Sequence, residues 1–303
     1  MRGSADGVGS EMRSAIVVGA SSMLGAKLSC QLVNEGINVV SAGRRPHDDI
    51  WVDLGCDQLP RFSRPCTADV LFHCASAFGG DTLEGLRENF RINVSGCIHI
   101  LEIAREAQVN KIVYSGTAFS DQSFKDDPMG AYGFSKAEAE RILAWGITRL
   151  GGTFSSLRLT HLWDTEGLCC AHQPWFGRIV AYASRGKTLK MPQSNASRNF
   201  MYVSDAAQLL IRAARQDFTG VHTLGHPTDI DLVQLAQLAY AVFGKGGTVV
   251  IDPGKAPFRK VAFPREDGVY ANLGYQPGTT PQQGLEMIRD AGTADRFGPM
   301  DVQ

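Results

Sequence analysis

The sequence of 303 residues predicts an α/β fold, in which a doubly wound parallel sheet is combined with a smaller, interleaved C-terminal lobe. Short β-rich runs alternate with helix-like stretches from Ala15 onward, which is typical of parallel strand–helix–strand units. The β-rich runs are continuously apolar, as expected of strands that helices cover on both faces. After Leu162 the alternation breaks, which indicates a second lobe interleaved with the first.

The strands predicted in the first half of the chain share an apolar, β-branched composition. They are AIVVGA (15–20), INVVSAG (37–43), DVLFHCA (69–75), KIVYSG (111–116) and FSSLRL (154–159). Helices are predicted between them, over 24–36, 86–108 and 135–150.

The second half carries fewer regular signals. A strand and a helix are predicted over 200–214, a further strand over 220–225 and a helix over 232–243. Proline and glycine punctuate the end of the chain, and residues past Gly292 are expected to be disordered.

The charge balance excludes several classes of partner. Lys and Arg total 30 against 31 Asp and Glu, so neither a broad basic surface for nucleic acid nor an acidic tail is expected. The amino-terminal segment lacks the apolar core of a secretory signal, and no segment has the ~18 consecutive apolar residues of a transmembrane helix. The seven cysteines form no CxxC pair, which favours a reducing, cytoplasmic setting; no metal site is predicted. A small molecule is therefore the expected partner.

A glycine-containing turn follows the first predicted strand. In GASSMLG, Gly19 stands at the turn and Gly25 at the start of a helix whose free N–H groups can bind a pyrophosphate. Glycine adopts backbone conformations that other residues disfavour, and it allows helix and sheet to approach closely. The sequence therefore predicts a dinucleotide site of the Rossmann type, although an ordinary strand-to-helix turn is an alternative. The candidate contacts are Gly19, Ser21, Ser22, Met23, Leu24 and Gly25.

The end of the second predicted strand favours NADP over NAD. An NAD enzyme normally has an Asp or Glu about 20 residues after the glycines, where it binds the ribose 2′-hydroxyl. Arg44 and Arg45 occupy that place here, and a guanidinium matches a 2′-phosphate in charge and geometry. NADPH is therefore the predicted cofactor; the alternative is that both arginines belong to a solvated turn.

The segment AYGFSKAEAE places Tyr132 and Lys136 four residues apart, so on a helix both side chains project from the same face. Because a neighbouring ammonium favours the phenolate, we expect Lys136 to lower the pKa of Tyr132. The tyrosine can then donate or accept a proton near neutral pH. Such a pair also occurs by chance on helix surfaces, but here it follows a strand and lies downstream of the predicted dinucleotide turn.

Together these segments resemble the extended short-chain dehydrogenase/reductase family, which includes NAD(P)-dependent nucleotide-sugar epimerases, dehydratases and reductases. GASSMLG is similar to the family's G-x-x-G-x-x-G, with Ser22 at the middle glycine, and Tyr132 and Lys136 match its Y-x-x-x-K. The resemblance implies that Thr117, or Ser115 as a fallback, hydrogen-bonds the reacting oxygen in the substrate site. It also implies that Lys136 binds the ribose of the cofactor.

Two further segments resemble cofactor-contacting parts of the family. Asp53, followed by Leu54, resembles the acidic residue that meets the adenine amino group. The segment HCAS resembles the family's H-x-A-A, where the backbone must lie close to the cofactor, while His73 itself is expected to pack in the core. The candidate contacts in that segment are Cys74, Ala75 and Ser76.

The resemblance also implies where the substrate binds. RNFMYVSDAA resembles R-D-F-V-Y-V-x-D-V-A of the nucleotide-sugar branch, which implies that Arg198 binds the substrate diphosphate; a structural loop arginine is the alternative. Ala118 and Phe119 stand where the dehydratases have an Asp-Glu pair, so dehydration is disfavoured.

Two other segments bear on the substrate pocket. LRLTHLW departs from the family's L-R-P-x-N-V-Y at Thr160 and His161, so sugar recognition is expected to differ. A cluster of Cys169, Cys170 and His172 lies near the expected pocket. A Cys/His pair can move protons beside a carbonyl, but packing is the favoured role.

The leading functional prediction is that NADPH reduces a keto group on a nucleotide-linked deoxysugar, with Tyr132 as the proton donor. The alternative is a nucleotide-sugar epimerase that retains its cofactor; Arg44 and Arg45 argue mildly against it, because such enzymes commonly hold NAD. Two other hypotheses are an NADP-sensing protein on the same fold and a reductase of steroid-like or phenolic ketones. The presence of the Tyr/Lys pair speaks against the sensor.

The predicted domain organisation follows from these assignments. The dinucleotide-binding domain takes 14–165 and 199–226, and the substrate-binding lobe takes 166–198 and 227–290. A flexible lead-in (1–13) and a tail (291–303) flank them.

Asn93 is a further candidate cofactor contact, since its segment resembles the family's N-V-x-G-T helix start, although helix packing is at least as plausible a role. The helices around Asn93 and Lys136 resemble those that form a four-helix dimer interface in relatives. The expected oligomeric state is therefore a homodimer.

Overall fold

The computed structural model describes residues 12–122, 129–193, 197–216, 218–258, 266 and 268–300. Most of the predicted lead-in therefore lies outside the described residues. The strands are, in chain order, β1 (Ser14–Val18), β2 (Asn38–Gly43), β3 (Ile50–Trp51), β4 (Arg61–Phe62), β5 (Val70–His73), β6 (Lys111–Thr117), β7 (Thr153–Leu159), β8 (His161–Trp163), β9 (Leu189–Met191), β10 (Ser197–Arg198), β11 (Phe200–Tyr202), β12 (Gly220–Leu224), β13 (Ile230–Asp231) and β14 (Val249–Ile251).

The α-helices of the described chain carry most of the remaining regular structure. They are α1 (Met23–Asn34), α2 (Leu83–Asn89), α3 (Cys97–Glu106), α4 (Ala131–Arg149), α5 (Pro174–Ser184), α6 (Val203–Arg215), α7 (Leu232–Phe243), α8 (Val269–Leu273) and α9 (Pro281–Asp290). A π-helical turn, Phe90–Ser95, joins α2 to α3, so the helix predicted over 86–108 is interrupted. None of the described helices combines the length and the apolarity needed to span a bilayer.

The central sheet of the described chain has eight strands in the order β12-β7-β6-β5-β1-β2-β3-β4. Neighbouring strands are parallel, except that β4 runs antiparallel to β3. From β1 the chain moves to β2 on one side and later to β5 on the other, so the winding direction reverses between β1 and β5. The predicted doubly wound α/β fold is confirmed. In such folds the crevice outside the carboxyl ends of the strands, at this reversal, is the usual ligand site.

Strand β1 shows why the sequence is apolar at consecutive positions. Ala15 and Val17 pack into the core that α1 and α6 cover, whereas Ile16 and Val18 pack into the core that α3 and α4 cover. All four are at most 1% exposed. Burial of each large aliphatic side chain contributes about 1.5 to 3 kcal/mol, so both faces of the strand must be hydrophobic.

Outside the central sheet, the described chain is built from short elements. Among its residues, three two-stranded sheets pair β8 with β11, β9 with β14 and β10 with β13. Helix α7 packs against α5 and α9, and the buried indole of Trp163 stacks on Tyr202 and Phe176. This cluster is continuous with the core beneath α1 and α6. The limits of the two lobes given above stay a prediction.

The segment after α9 differs from expectation. Phe297 is 3% exposed and packs near Phe176, and the hydroxyl of Thr293 donates to the carbonyl of Thr165 at 2.5 Å. The prediction of disorder past Gly292 is therefore wrong for residues 293–300, because a buried aromatic anchor holds them against the second lobe. Residues 301–303 lie outside the described part of the chain.

Candidate active site

A cavity of about 670 Å³ opens beside the reversal of the strand order. It lies between the carboxyl ends of β1, β5 and β6, the first turn of α4 and the segment that follows β7. Its volume is within the usual range for a small-molecule site. Of the predicted site residues, those that line it are Ser21, Ser22, Met23, Leu24, Cys74, Ser76, Ser115, Thr117, Tyr132 and Lys136.

The turn between β1 and α1 requires glycine at two places. Gly19 has φ of +80°, and a Cβ there would lie 2.8 Å from the backbone nitrogen of Ala75. A Cβ on Gly25 would lie 2.1 Å from the carbonyl oxygen of Gly19. Both contacts are with backbone, which cannot move aside cheaply, so larger residues are excluded. The predicted glycine roles agree with this geometry.

Ser22 explains why the middle glycine of the family pattern can be replaced. Its φ of −73° and ψ of 163° are ordinary extended values, so no glycine is needed for the backbone. The residue is the N-cap of α1, and its hydroxyl accepts a hydrogen bond from the Gly25 N–H at 3.0 Å. A serine N-cap stabilises a helix by about 1 kcal/mol. The replacement therefore strengthens the start of α1.

The segment after β5 lies directly against this turn. Cys74 continues the sheet, since its N–H donates to Val18 at 2.9 Å. Ala75 fills the space left by Gly19, while the side chains of Cys74 and Ser76 face the cavity. Burial raises the pKa of the Cys74 thiol to about 12, so it is a neutral, small apolar group. The predicted packing role of His73 also agrees with the structure, because that ring is 1% exposed.

Lys136 is a buried cation at the centre of the site. It is 1% exposed, its ammonium donates to the hydroxyl of Ser76 at 2.8 Å, and it lies 4.1 Å from the ring centroid of Tyr114. Burial lowers its pKa to about 8, against the opposing charge of Glu140. The lysine can therefore exchange a proton near neutral pH.

Tyr132 corrects an expectation drawn from the sequence. Burial raises the pKa of its phenol above the ordinary value, and a hydrogen bond with the Ser76 side chain lowers the pKa by less. The expected lowering by the Lys136 ammonium is absent, so that prediction is wrong for the chain as described here. The physical reason is that the ammonium is directed to Ser76 and Tyr114 instead. The phenol is thus held in its protonated form.

Thr117 and Ser115 both line the cavity, so position alone does not separate the prediction from its fallback. Thr117 ends β6 and is 6% exposed; its hydroxyl oxygen accepts from the Phe119 N–H at 3.4 Å. That bond is long and leaves the hydroxyl hydrogen available for another acceptor.

Asn93 does not line the cavity, and the structure gives it a different role from cofactor contact. It is 2% exposed, and its amide accepts from the Ala77 N–H at 2.7 Å and donates to the Ala77 carbonyl at 3.0 Å. It also donates to the hydroxyl of Ser135 in α4 at 3.0 Å. Asn93 therefore ties the segment after β5 to α4, as the packing alternative proposed.

The predicted adenine end lies at the carboxyl end of β2, outside the cavity. Arg44 and Arg45 are exposed there. Asp53 accepts from the Gly55 N–H at 2.9 Å, and the side chain of Leu54 packs where Gly96 leaves room.

Asp48 is a charged residue at this end that the sequence pattern did not indicate. The turn after β2 brings its carboxylate back to the strand end, where it accepts from the Arg45 N–H at 2.8 Å and lies 2.7 Å from where a Cβ on Gly43 would be. Asp48 stands 23 residues after Gly25, beyond the position at which an acidic residue of an NAD site is expected. Only the fold of the turn places this carboxylate beside the arginines.

Phe78, which the sequence pattern also did not indicate, forms an aromatic wall with two other rings. Phe78 stacks on Tyr132 with centroids 4.7 Å apart and on His172 with centroids 3.9 Å apart. All three side chains line the cavity, and Phe78 is 51% exposed. The sequence signal for Phe78 is a large aromatic residue only two positions after HCAS, the segment that resembles the family's H-x-A-A.

The cysteines of the predicted cluster lie outside the cavity lining. Neither Cys169 nor Cys170 lines the cavity, whereas His172 does. Cys169 is fully buried, and its thiol interacts with that of Cys170, which raises the pKa of Cys169 and lowers that of Cys170 to about 7. The favoured packing role agrees with the burial of Cys169.

Arg198 lies in a smaller cavity of about 180 Å³ beside the main one. His161 and Gln173 line both cavities, so the two are contiguous. The guanidinium of Arg198 donates to the Ser197 carbonyl at 3.0 Å, and burial lowers its pKa. Burial, and secondarily the charge of Arg198, lowers the pKa of His161 to about 4, so this ring is neutral. The side cavity therefore offers a fixed cation to an anionic group.

Comparisons with known proteins agree with this architecture. A family model described as the NAD dependent epimerase/dehydratase family matches residues 15–225. An uncharacterized protein of Methanocaldococcus jannaschii is 25% identical over 247 residues, covering 72% of this chain and 70% of that protein.

Two solved structures share the fold. A UDP-N-acetylglucosamine 4-epimerase from Bacillus cereus superposes with a TM-score of 0.74 at 19% identity, covering 93% of this chain and 99% of that one. The Bordetella bronchiseptica enzyme WbmF, solved with NADH, has a TM-score of 0.72 at 18% identity, covering 94% of each chain. The resemblance to the extended short-chain dehydrogenase/reductases is thereby confirmed. Since the family model matches more than half of the chain, the protein belongs to the NAD dependent epimerase/dehydratase family.

Proposed function

We propose that this protein is an NADPH-dependent oxidoreductase that reduces a keto group on a nucleotide-linked sugar, with Tyr132 as the proton donor. The observation that carries the proposal is the convergence of Tyr132, Lys136 and Thr117 on one cavity beside the glycine turn. Proton donors and a hydroxyl that converge in this way can stabilise an alkoxide as it forms. The raised pKa of the Tyr132 phenol keeps it protonated, as a reductase requires of its acid.

The turn after β1 fits a dinucleotide. Gly19 and Gly25 let the turn after β1 pack closely against Ala75 and against itself, and the start of α1 offers backbone N–H groups at this turn. When bound, the reduced nicotinamide supplies the hydride. Tyr132 then donates its phenolic proton to the substrate oxygen, and Thr117 hydrogen-bonds the same oxygen. The stacked rings of Tyr132, Phe78 and His172 form one side of the site.

A nucleotide sugar is supported by the side cavity and by the relatives. Arg198 places a half-buried guanidinium in a cavity contiguous with the one that Tyr132 lines. A guanidinium suits a diphosphate in charge and geometry. The Bacillus cereus structure of the same fold is that of a UDP-sugar epimerase.

A retained-cofactor epimerase is the second candidate, and the carboxylate of Asp48 favours it. An acidic group at the end of β2 is typical of NAD sites, and this one lies beside Arg45 and Gly43. In that reaction Tyr132 removes a proton from the sugar hydroxyl and later returns it, so no cofactor is consumed.

One experiment separates the two candidates. The protein is incubated with NADPH or NADH and a panel of nucleotide-linked keto sugars, and loss of the reduced nicotinamide absorbance is recorded. In parallel, nucleotide-linked sugars without added cofactor are examined for a changed configuration. Stoichiometric NADPH oxidation supports the reductase, and epimer formation without net oxidation supports the epimerase. If no substrate gives either NADPH oxidation or epimer formation, both candidate functions are contradicted.

We also propose that the protein is a homodimer. Ile98 on α3 and Trp145 on α4 are 58% and 65% exposed, and large apolar side chains at such exposure favour coverage by a partner. Light scattering is expected to give twice the chain mass, and Trp145→Glu is expected to lower it to one chain mass. A monomeric wild-type protein contradicts this proposal.

A further inference from the structure

Phe78 is an exposed aromatic residue whose backbone is held firmly on both sides. Asn93 accepts from the N–H of the preceding residue, Ala77, at 2.7 Å and donates to its carbonyl at 3.0 Å. Asn89 makes the same two hydrogen bonds to the following residue, Gly79, at 2.8 and 2.9 Å. Both asparagines are at most 2% exposed, so water does not compete for these hydrogen bonds. The direction in which Phe78 leaves the backbone is therefore fixed by buried amides.

The loop that carries Phe78 is anchored without help from the phenyl ring. Asn89 ends α2, and Asn93 lies in the π-helical turn that follows. A Cβ on Gly79 would lie 2.3 Å from the carbonyl oxygen of Gly85, so the loop and α2 are in close contact. Such π-helical turns are frequent at functional sites. Because backbone contacts hold the loop, removal of the ring should leave the loop in place.

The ring of Phe78 projects into the main cavity and packs on the proposed proton donor. It stacks on the Tyr132 ring with centroids 4.7 Å apart and an interplanar angle of 25°. It also stacks on His172, in the segment between β8 and α5, with centroids 3.9 Å apart. The stack therefore connects the first turn of α4 to a segment that lies far away in the sequence.

Helix geometry alone does not fix where the hydroxyl of Tyr132 points. An aromatic side chain on a helix adopts either of two χ1 rotamers, and these direct the hydroxyl of a tyrosine to different places. A ring held against the tyrosine ring favours the rotamer that keeps this contact. Phe78 can supply such a support, because its own backbone is held independently of Tyr132.

We propose that Phe78 is a positioning residue that holds the Tyr132 ring in the rotamer from which its hydroxyl reaches the substrate; the effect on turnover rests on the proposed function. No proton or electron passes through Phe78, which acts only through the direction of Tyr132. Catalysis is sensitive to such direction, since a misplacement of about 1 Å can cost roughly 100-fold in rate. Binding of the cofactor should not depend on the stack.

Three variants separate this role from general packing. Phe78→Ala removes the ring, and Phe78→Tyr keeps a ring of the same shape. Phe134→Ala is the matched control, because Phe134 lies on α4 two residues after Tyr132 and is 43% exposed but does not line the cavity. An equal loss of activity in Phe134→Ala and Phe78→Ala would overturn the inference.

The first measurement needs neither substrate nor cofactor. The protein is labelled with carbon-13 in its tyrosine rings, and the Tyr132 signal, one of seven, is assigned by its loss in Tyr132→Phe. In Phe78→Ala this signal is expected to shift, because the ring current of Phe78 is lost, and its relaxation should indicate a more mobile ring. Phe134→Ala should keep the wild-type relaxation. Unchanged mobility of Tyr132 in Phe78→Ala overturns the inference.

The second measurement separates kcat from KM in the reduction. Phe78→Ala is expected to lower kcat roughly 10- to 100-fold while KM for the keto sugar stays within about 2-fold, and Phe78→Tyr should restore kcat. A raised KM with unchanged kcat would mean that Phe78 binds the substrate instead, which overturns the positioning role.

The third measurement is a double-mutant comparison. In the Tyr132→Phe background, Phe78→Ala is expected to lower kcat no further, because the hydroxyl that Phe78 positions is already absent. A further loss of about 10-fold or more in that background overturns the inference. If the wild type reduces no keto sugar, the proposed function fails, whereas the NMR measurement still decides whether Phe78 holds the Tyr132 ring.

Discussion

The chemical end and the adenine end of the crevice are both built where parallel strands end, but they differ in burial. At the chemical end, Lys136 is 1% exposed and bonded to Ser76 within a network that Asn93 anchors. At the adenine end, Arg44 and Arg45 are exposed and stand beside the carboxylate of Asp48. Buried polar groups are held by many partners, whereas exposed charges are not. We therefore expect the chemistry to tolerate few substitutions and the cofactor preference to be easily altered.

The largest effect is expected from the chemical end. Tyr132→Phe removes the proton donor but keeps the ring that stacks on Phe78, so the fold and the cavity should persist. We expect kcat to fall by about 100- to 10,000-fold, since positioned general acids contribute that much. Turnover with NADPH measures it, and unchanged cofactor affinity serves as the control. Full activity in the variant would contradict the assignment of Tyr132 as the acid.

A comparably large effect on binding is expected at the turn between the two ends. Gly25→Ala places a Cβ 2.1 Å from the carbonyl of Gly19, so the turn must shift. We expect cofactor affinity to drop by at least about 100-fold, because α1 no longer directs its N–H groups correctly. Gly80→Ala is the matched control, since no atom lies within 4 Å of its added Cβ. Titration calorimetry with NADP and NAD compares the two variants, and equal affinities in both would remove the assigned role of the turn.

A moderate effect is expected at the adenine end. The double change Arg44→Ala with Arg45→Ala is expected to weaken NADPH binding about 10- to 100-fold and to leave NADH binding nearly unchanged, because only NADP carries the 2′-phosphate. Asp48→Asn should act in the opposite direction, favouring NADPH by removing a like charge. The dissociation constants of NADPH and NADH measure both effects. Equal losses of affinity for the two cofactors would show that the arginines do not contact the 2′-phosphate.

The smallest expected effect is on the free energy of unfolding, and it tests whether Lys136 is as buried as the contrast with the adenine end requires. The pKa of Lys136 is about 8 in the folded chain, below its ordinary value of 10.5, so the folded state disfavours the charged lysine. Between those two values the unfolded chain binds more protons, and the free energy of unfolding of the wild type should rise with pH through that window.

Lys136→Met tests this effect. The variant lacks the rise and should be more stable than the wild type at pH 7, by roughly 1 to 3 kcal/mol, because a buried charge is removed. Denaturant unfolding at pH 7 and pH 10 measures it. Identical pH dependence in the two proteins would mean that the lysine is not held in a desolvated site.

Much of the fold could be predicted because strand burial on both faces leaves a direct record in the sequence. The runs around Ile16, Phe72 and Val113 are apolar at each position for that reason, and the observed strands lie there. The tail was predicted wrongly, because the burial of Phe297 depends on a partner far away in the chain rather than on local composition.

The sequence by itself determined the α/β class, the glycine turn and the pairing of Tyr132 with Lys136 on one helix, since each follows from local spacing. Only the tertiary structure decided which groups those residues meet. Ser76 and Asp48 reach their places because the fold brings distant segments together. Burial within the assembled site raised the pKa of Tyr132, where spacing alone predicted a lower one. Spacing along a helix determines which way two side chains project, whereas the charge state of a group depends on everything packed around it.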